Sequence, residues 1–284
     1  MTFSIVAHDP VTGQLGGAVA SRFLAVGGLV LYARADVGVV ATQALANLAW
    51  GPRGLDLLAA GASPAQALDV LITTDELPER RQAGLIDAQG RVAAHTGSGC
   101  MTWAGHLPGD RFTCQGNILA SGAVLDAVAE VMRTRGDLPL ADRLVAALAA
   151  GQAAGGDRRG QQSAGVLVVQ RGGGYGGGSD RLVDLRVDDH PTPVDELARL
   201  LRVRSLLFDK PAEADLRPID PALASELADR LDRLGFGPAD AGDLDGLWAR
   251  LERWAGRENL EERMVRPGSI DVTVLGVLRD QSGG

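Results

Sequence analysis

Thr2 has the simplest route to covalent chemistry in this 284-residue sequence. A threonine exposed by removal of Met1 carries its own base. The reference pKa of an α-amino group is about 7.7–8.0, so near neutral pH it can take the hydroxyl proton directly or through a water. The reaction this suits is nucleophilic attack on an amide. Thr is also a common strand residue, and the residue type alone leaves both readings open. Competing nucleophile–base pairs are scarce. There is no G-x-S-x-G elbow, and Lys210 is the only lysine, so an active-site lysine is ruled out at every other position.

Two groups of side-chain amides could serve as oxyanion donors at strand ends, Gln43 with Asn47 and Gln115 with Asn117. The stretch 155–164, GGDRRGQQSA, places Asp157, Arg158, Arg159, Gln162 and Ser163 just before an apolar run. Polar residues at a strand entrance can line a cleft, where arginine suits a substrate carboxylate; they also make an ordinary polar loop. Of the four histidines, His8 and His95 fall at strand ends, where hydrogen-bonded histidines are common. Asp188, Asp189 and His190 suit the capping of a following helix. No HExxH or paired-His spacing is present, so neither a metal nor a cofactor is expected.

Composition narrows the class. The net charge of −8 gives no basic face for nucleic acid. Two cysteines, Cys100 and Cys114, make no disulfide framework. The N-terminus lacks a charged segment followed by an apolar one, and no apolar run approaches 18 residues, so the expected compartment is the cytoplasm, without a membrane partner. Aromatic residues are 4 %, so Ala, Val and Leu must build the core.

The elements that would position these residues start at once. Phe3, Ile5 and Ala7 alternate with Ser4, Val6 and His8, a strand period. Asp9-Pro10 and Thr12-Gly13 supply a turn, and Leu15–Ala20 returns to Ser21-Arg22. Val26–Tyr32 and Val37–Gln43 read as further strands. Gly51-Pro52 punctuates, Arg53–Ala60 reads as a helix, and Ser63-Pro64 opens another. A hairpin over 82–95 follows, then a Trp103-containing loop, a strand over 112–119, helices over 124–133 and 141–150, strands over 164–170 and 182–187, and a helix over 194–208. Runs of strands alternating with helix pairs fit two stacked antiparallel sheets with helices outside, rather than βαβ units. The fold expectation is therefore α+β, an αββα four-layer sandwich over residues 1–210. Residues 209–216 read as a charged linker. Residues 217–284 read as a small, mostly helical domain with Leu234, Phe236, Leu244, Leu247, Trp248, Leu251 and Trp254 as core.

The segments TFSIVAHDPVTGQLGGAVASRF, GVVATQALAN, GPRGL, Gln115-Gly-Asn117, GGDRRGQQSA and LRVDDHP together resemble the DUF1028 family, which is assigned by fold to the N-terminal-nucleophile (Ntn) hydrolases. The tail, especially GRENLEERMVRPGSIDVTVLGVLR, resembles a small peptidoglycan-binding-like module. The resemblance implies the αββα sandwich and a mechanism class in which an N-terminal Thr, Ser or Cys attacks an amide and its own amine acts as base. Carried onto this sequence, it makes Thr2 the nucleophile, with Ser21, Arg22, Asn117 and Asp157 as catalytic candidates. His8, Gln43, Asn47, Gln115, Arg158, Gln162 and Ser163 become substrate-binding candidates. The sequence departs from the pattern that uses a lysine on the third strand; Arg34 or Arg22 would have to substitute, and arginine cannot serve as a base.

The resulting expectation is an amidohydrolase acting on a small amide or peptide-like bond, in a homodimer. The alternatives are a non-catalytic ligand-binding protein for cell-wall-derived glycopeptide, and a hydrolase using Ser21 or Ser163.

Overall fold

The opening hairpin forms as its alternation demands. β1 (Thr2–His8) and β2 (Leu15–Ser21) pair antiparallel, with Thr2 opposite Ser21 and His8 opposite Leu15. The computed structural model describes residues 2–237 and 244–283, and the chain divides into two units, Met1–Leu201 and Arg202–Gly284.

In the first unit, a single helical turn α1 (Gly27–Val30) precedes β3 (Leu31–Arg34) and β4 (Gly38–Ala44). The expected strand over 26–32 is thus mostly a turn. A close backbone approach accompanies it: a Cβ at Gly165 would lie 2.8 Å from Gly27 Cα, so the turn packs there against a position that needs glycine. α2 (Trp50–Ala59) starts three residues before the expected Arg53. Pro52 falls in its first turn, where a missing N–H costs nothing. α3 (Pro64–Thr73) carries a full capping box, Ser63 Oγ accepting from Gln66 N and Gln66 Oε1 accepting from Ser63 N.

β5 (Arg81–Asp87) and β6 (Val92–Thr96) form the expected hairpin. β7 (Gly105–Gly109) was not foreseen; it pairs with β8 (Phe112–Asn117) as an edge strand, the one place in a sheet where Pro108 is tolerated. α4 (Ala123–Thr134), α5 (Leu140–Ala153), β9 (Ser163–Val169), β10 (Arg181–Val187) and α6 (Pro193–Phe208) complete the series.

Two antiparallel sheets result, one ordered β10-β9-β2-β1-β8-β7 and the other β3-β4-β5-β6. Strand alternation shows how they stack. Phe3, Ile5 and Ala7 join Val128, Leu144 and Leu148 of α4 and α5 in one core on the outer face of the six-stranded sheet. Val40, Ala83 and Leu85 join Trp50, Leu55, Leu68 and Leu71 of α2 and α3 on the outer face of the four-stranded sheet. Val6, Leu15 and Val19 meet Val39, Ala41 and Ile86 between the sheets. These are the four layers α–β–β–α.

The second unit is a three-helix cluster with a short strand pair. β11 (Leu216–Pro218) pairs with β12 (Ser269–Asp271), beginning at the last residue of the segment read as a linker. α7 (Pro221–Arg233), α8 (Leu244–Arg257) and α9 (Val272–Gln281) bury Leu227, Leu231, Leu251, Trp254, Leu275 and Leu278 together. Leu247 and Trp248 are buried as expected, Leu234 and Phe236 pack partly buried, but Leu244, at the first position of α8, is 52 % exposed. The unit boundary falls inside α6 rather than near residue 210. No helix among the described residues is long and apolar enough to cross a membrane.

Candidate active site

Between the sheets the seam changes character along its length. At one end it is Val and Leu; at the other it is lined by Thr2, Ser4, Gln43, Gln82, Gln115 and Asn117, all buried. A buried amide must be hydrogen-bonded or it destabilises the fold, and here the partners set a direction. Gln82 Nε2 faces the carbonyls of Gly116 (2.7 Å) and Gly105 (3.1 Å), which can only accept. Its Oε1 therefore accepts, from Asn117 Nδ2 (2.9 Å) and Gln43 Nε2 (2.8 Å). Gln43 Nε2 also donates to the carbonyls of Thr2 (3.2 Å) and Gln115 (3.3 Å). Gln43 Oε1 in turn accepts from Ser4 Oγ (2.6 Å), which accepts from Gln115 Nε2 (2.6 Å). The chain of donors runs from Gln115 through Ser4, Gln43 and Gln82 to backbone carbonyls.

Gln43 and Gln115 are thereby removed from the role of oxyanion donors. Their amide hydrogens are held inside the seam, and what they do is fix β1 to both neighbouring layers. Gln115 has its space because residue 84 is glycine: a Cβ there would come within 2.1 Å of Gln115 Oε1. Gln82, which sequence reasoning missed, is the hub. Its signal was present, since in 82–86 a polar residue shares the inward face with Gly84 and Ile86.

Thr2 sits at the polar mouth of the seam. β1 is a central strand, and Thr2 is flanked by Ser21 on β2 and Asn117 on β8. Thr2 Oγ1 lies 3.1 Å from Ser21 Oγ, and both residues are buried. Asn117 also lines a cleft of about 570 Å³ whose wall includes Ala44, Leu45, Arg80, Cys100 and Met101. Ala44 (φ 69°) and Ile118 (φ 52°) are left-handed non-glycine residues directly following Gln43 and Asn117. Such backbone costs about 1–3 kcal/mol per residue and gathers where structure holds a functional geometry. Here it falls where β4 and β8 reach the cleft.

The loop expected to reach the site holds the backbone that follows Ser21 through its own side chains. Asp157, buried, accepts from Arg22 N (2.8 Å) and Arg159 N (2.7 Å), clamping the chain that follows Ser21. Ser163 Oγ donates to Phe23 O and accepts from Val26 N, so its hydroxyl is spent on the same loop. The Arg22 and Arg158 guanidiniums reach only carbonyls, of Gln161 (2.9 Å) and Thr102 (3.1 Å), and neither has an acidic partner among the described residues. Gln162 bonds Asp189 (3.2 Å) on the exposed side.

Three expected residues lie elsewhere. Asn47 donates to Asp75 (2.8 Å), alongside Trp50 Nε1 and Arg81. Burial would raise the Asp75 carboxyl, but hydrogen bonds from Arg81, Asn47 and Leu77 N outweigh it and hold the group well below the usual carboxylate range. This knot anchors the cleft wall, with Arg81 also donating to Leu45 O. His8 ends β1 six residues from Thr2, about 20 Å along the strand. Arg34 pairs with Asp56 (2.8 Å) at the end of the four-stranded sheet remote from Gln43, so it cannot replace the absent lysine. Cys100, in the cleft, has its thiol pushed up by burial. Among the described residues no group of three or more His, Cys, Asp or Glu could hold a metal ion.

Residues 207–278 match the model described as "Putative peptidoglycan binding domain". No curated protein matches the chain. A crystal structure of protein SPO2555 from Silicibacter pomeroyi, assigned to the same family as the first unit, is similar at 35 % identity and a TM-score of 0.66, covering 72 % of this chain and 89 % of that one. Residues 2–197 match the model described as "Family of unknown function (DUF1028)", and the chain belongs to that family.

Proposed function

We infer that the first unit is an amide-hydrolysing enzyme of the N-terminal-nucleophile type, with Thr2 as nucleophile after removal of Met1. The observation that carries the reading is the place of Thr2: buried at the start of a central strand, its Oγ1 3.1 Å from Ser21 Oγ, beside the amide that lines the 570 Å³ cleft. Thr2 Oγ1 attacks the carbonyl carbon of the substrate, and its proton passes to the Thr2 amine, directly or through Ser21 Oγ. The amine then protonates the departing nitrogen as the C–N bond breaks, leaving an ester on Thr2 that water hydrolyses. Asn117 Nδ2 carries two hydrogens; Gln82 holds one, and the other serves the oxyanion. Arg22 and Arg158, without acidic partners among the described residues, supply positive charge for a substrate carboxylate. The engagement of Ser163 Oγ by Phe23 and Val26 disfavours it as a nucleophile.

The test joins intact-mass spectrometry with an activity screen on N-acyl amino acids, ureides and muropeptides. The expected result is a mass lacking Met1, with turnover abolished in Thr2→Ala and a preserved circular-dichroism spectrum. Full turnover in Thr2→Ala, or in protein that retains Met1, would sink the mechanism. Saturable binding of a muropeptide without turnover would instead favour a ligand-binding scaffold.

A further inference from the structure

The far end of β1 carries a second cleft that the proposed chemistry does not use. It has a volume of about 330 Å³, at the small end of the range for ligand sites. It forms where β1 ends at His8, the β7–β8 turn brings in Arg111, and the end of α4 and start of α5 bring in Arg133 and Arg143. Three arginines on one cleft stand out in a chain of net charge −8.

The hydrogen-bonding character of the lining is one-sided. Arg111 NH1 lies 3.2 Å from His8 Nδ1, and a guanidinium can only donate. His8 Nδ1 therefore accepts, which makes the imidazole neutral with its proton on Nε2. Burial and the Arg111 charge both act in that direction. Arg143 is mostly buried, and its Nε–H has no hydrogen-bond partner among the described residues. Among the described residues its ion-pair neighbour is Asp9, 3.8 Å from NH2. Arg133 is exposed and has no ion pair among the described residues. Asp110 is the one acid in the lining. Three guanidiniums stand against two carboxylates, Asp110 in the lining and Asp9 beside Arg143, so the cleft keeps an excess of donors and positive charge. The guanidinium hydrogens that reach the cleft can give an oxyanion charge-assisted bonds.

We propose that this cleft binds a small, multiply charged oxyanion, a phosphate or polycarboxylate, about 20 Å along β1 from Thr2 and independently of it. Inorganic phosphate and citrate represent the two chemistries, with potassium chloride as control.

Isothermal titration of the full chain at low ionic strength and pH 7.5 tests the site, each probe being taken to about 10 mM. Saturable one-to-one binding of phosphate or citrate is expected, and whichever binds tighter identifies the class. Arg143→Gln and Arg133→Gln should each weaken it about tenfold, a loss typical of one charge-assisted contact. Arg133 is exposed, so its variant tests the site without endangering the fold. Thr2→Ala should leave binding unchanged. Heat no different from chloride for both probes, or affinity unaltered in both arginine variants, would overturn the proposal. Loss of binding in Thr2→Ala would do the same, because it would place the anion at the other end of the strand.

Discussion

Replacing Gln82 by glutamate tests the directed amide chain with almost no change of shape. One carboxyl oxygen keeps the role of Oε1 and still accepts from Gln43 and Asn117. The other falls where Nε2 now donates to the carbonyls of Gly116 and Gly105. A protonated carboxyl can donate to Gly116 O at the 2.7 Å separation; a carboxylate there faces two carbonyl oxygens in a buried site, against the single hydroxyl of Thr96 (3.0 Å). The folded protein therefore holds the introduced group neutral, with a pKa above the unfolded value of about 4.3. The unfolded chain releases the proton above that value and the folded chain keeps it, so stability relative to wild type falls as pH rises. The slope is about 1.4 kcal/mol per pH unit until the raised folded pKa is reached. For a unit of this size that corresponds to roughly 3–5 °C of additional Tm deficit per pH unit. Scanning calorimetry of Q82E and wild type at pH 5, 6 and 7 reads it, since the difference cancels every other titrating group. A Tm deficit that stays constant with pH, or widens towards acid, would refute the direction assigned to the chain.

Four further expectations rest on single contacts. Ser63→Ala removes half of the capping box of α3 and should destabilise the first unit by about 1 kcal/mol, measured by denaturant titration. Ala44→Gly relieves a left-handed alanine and should stabilise by up to about 1 kcal/mol, provided the cleft wall keeps its shape; a lower Tm would show that the conformation carries no strain. The Cys114 thiol is pushed up to about 12 by burial, so in native protein only Cys100 should react with a thiol reagent, slowly at pH 7 and faster as pH rises, with Cys114 labelled only on unfolding. Asp271, buried, accepts from Thr273 N at the start of α9 and pairs with Arg263; Asp271→Ala should cost the second unit about 3–5 kcal/mol, seen as a lower calorimetric transition for that unit alone.

The parts of the fold legible in the sequence were those whose signals are local. The β1–β2 hairpin follows from strict alternation around Asp9-Pro10 and Gly13, and α3 announces itself through Ser63 and Pro64. Where tertiary contact decides, local pattern misled. The β-rich run from Val26 to Tyr32 turns helical for four residues where Gly27 packs on Gly165, some 140 positions away. Gly51-Pro52 looked like a stop but lies in the first turn of α2, since Trp50 is drawn into the core beneath β4.

The site was legible in identity more than in role. Thr2, Ser21 and Asn117 do meet, because strand pairing from an N-terminal hairpin leaves little choice. Gln43 and Gln115 are close as well, but which way an amide points depends on the opposite sheet, and nothing in their own segments records it. Asn47 was captured by Asp75, an acid no local motif singled out. His8 sits on the same strand as Thr2, and strand length alone puts the two at opposite ends.

The directed amide chain also sets how the seam can change over generations. Gln115 gives at the head of the run, Ser4, Gln43 and Gln82 each give and receive in one sense, and the run ends on carbonyls that cannot reverse it. Substituting one member strands its neighbours within the set, whereas exchanging the whole set for apolar side chains of matching volume leaves unpaired only groups at its edge, such as Asn117 Nδ2. Drift at these four positions is therefore expected to come as a block. A redesign that swaps them one at a time would pass through variants worse than either endpoint.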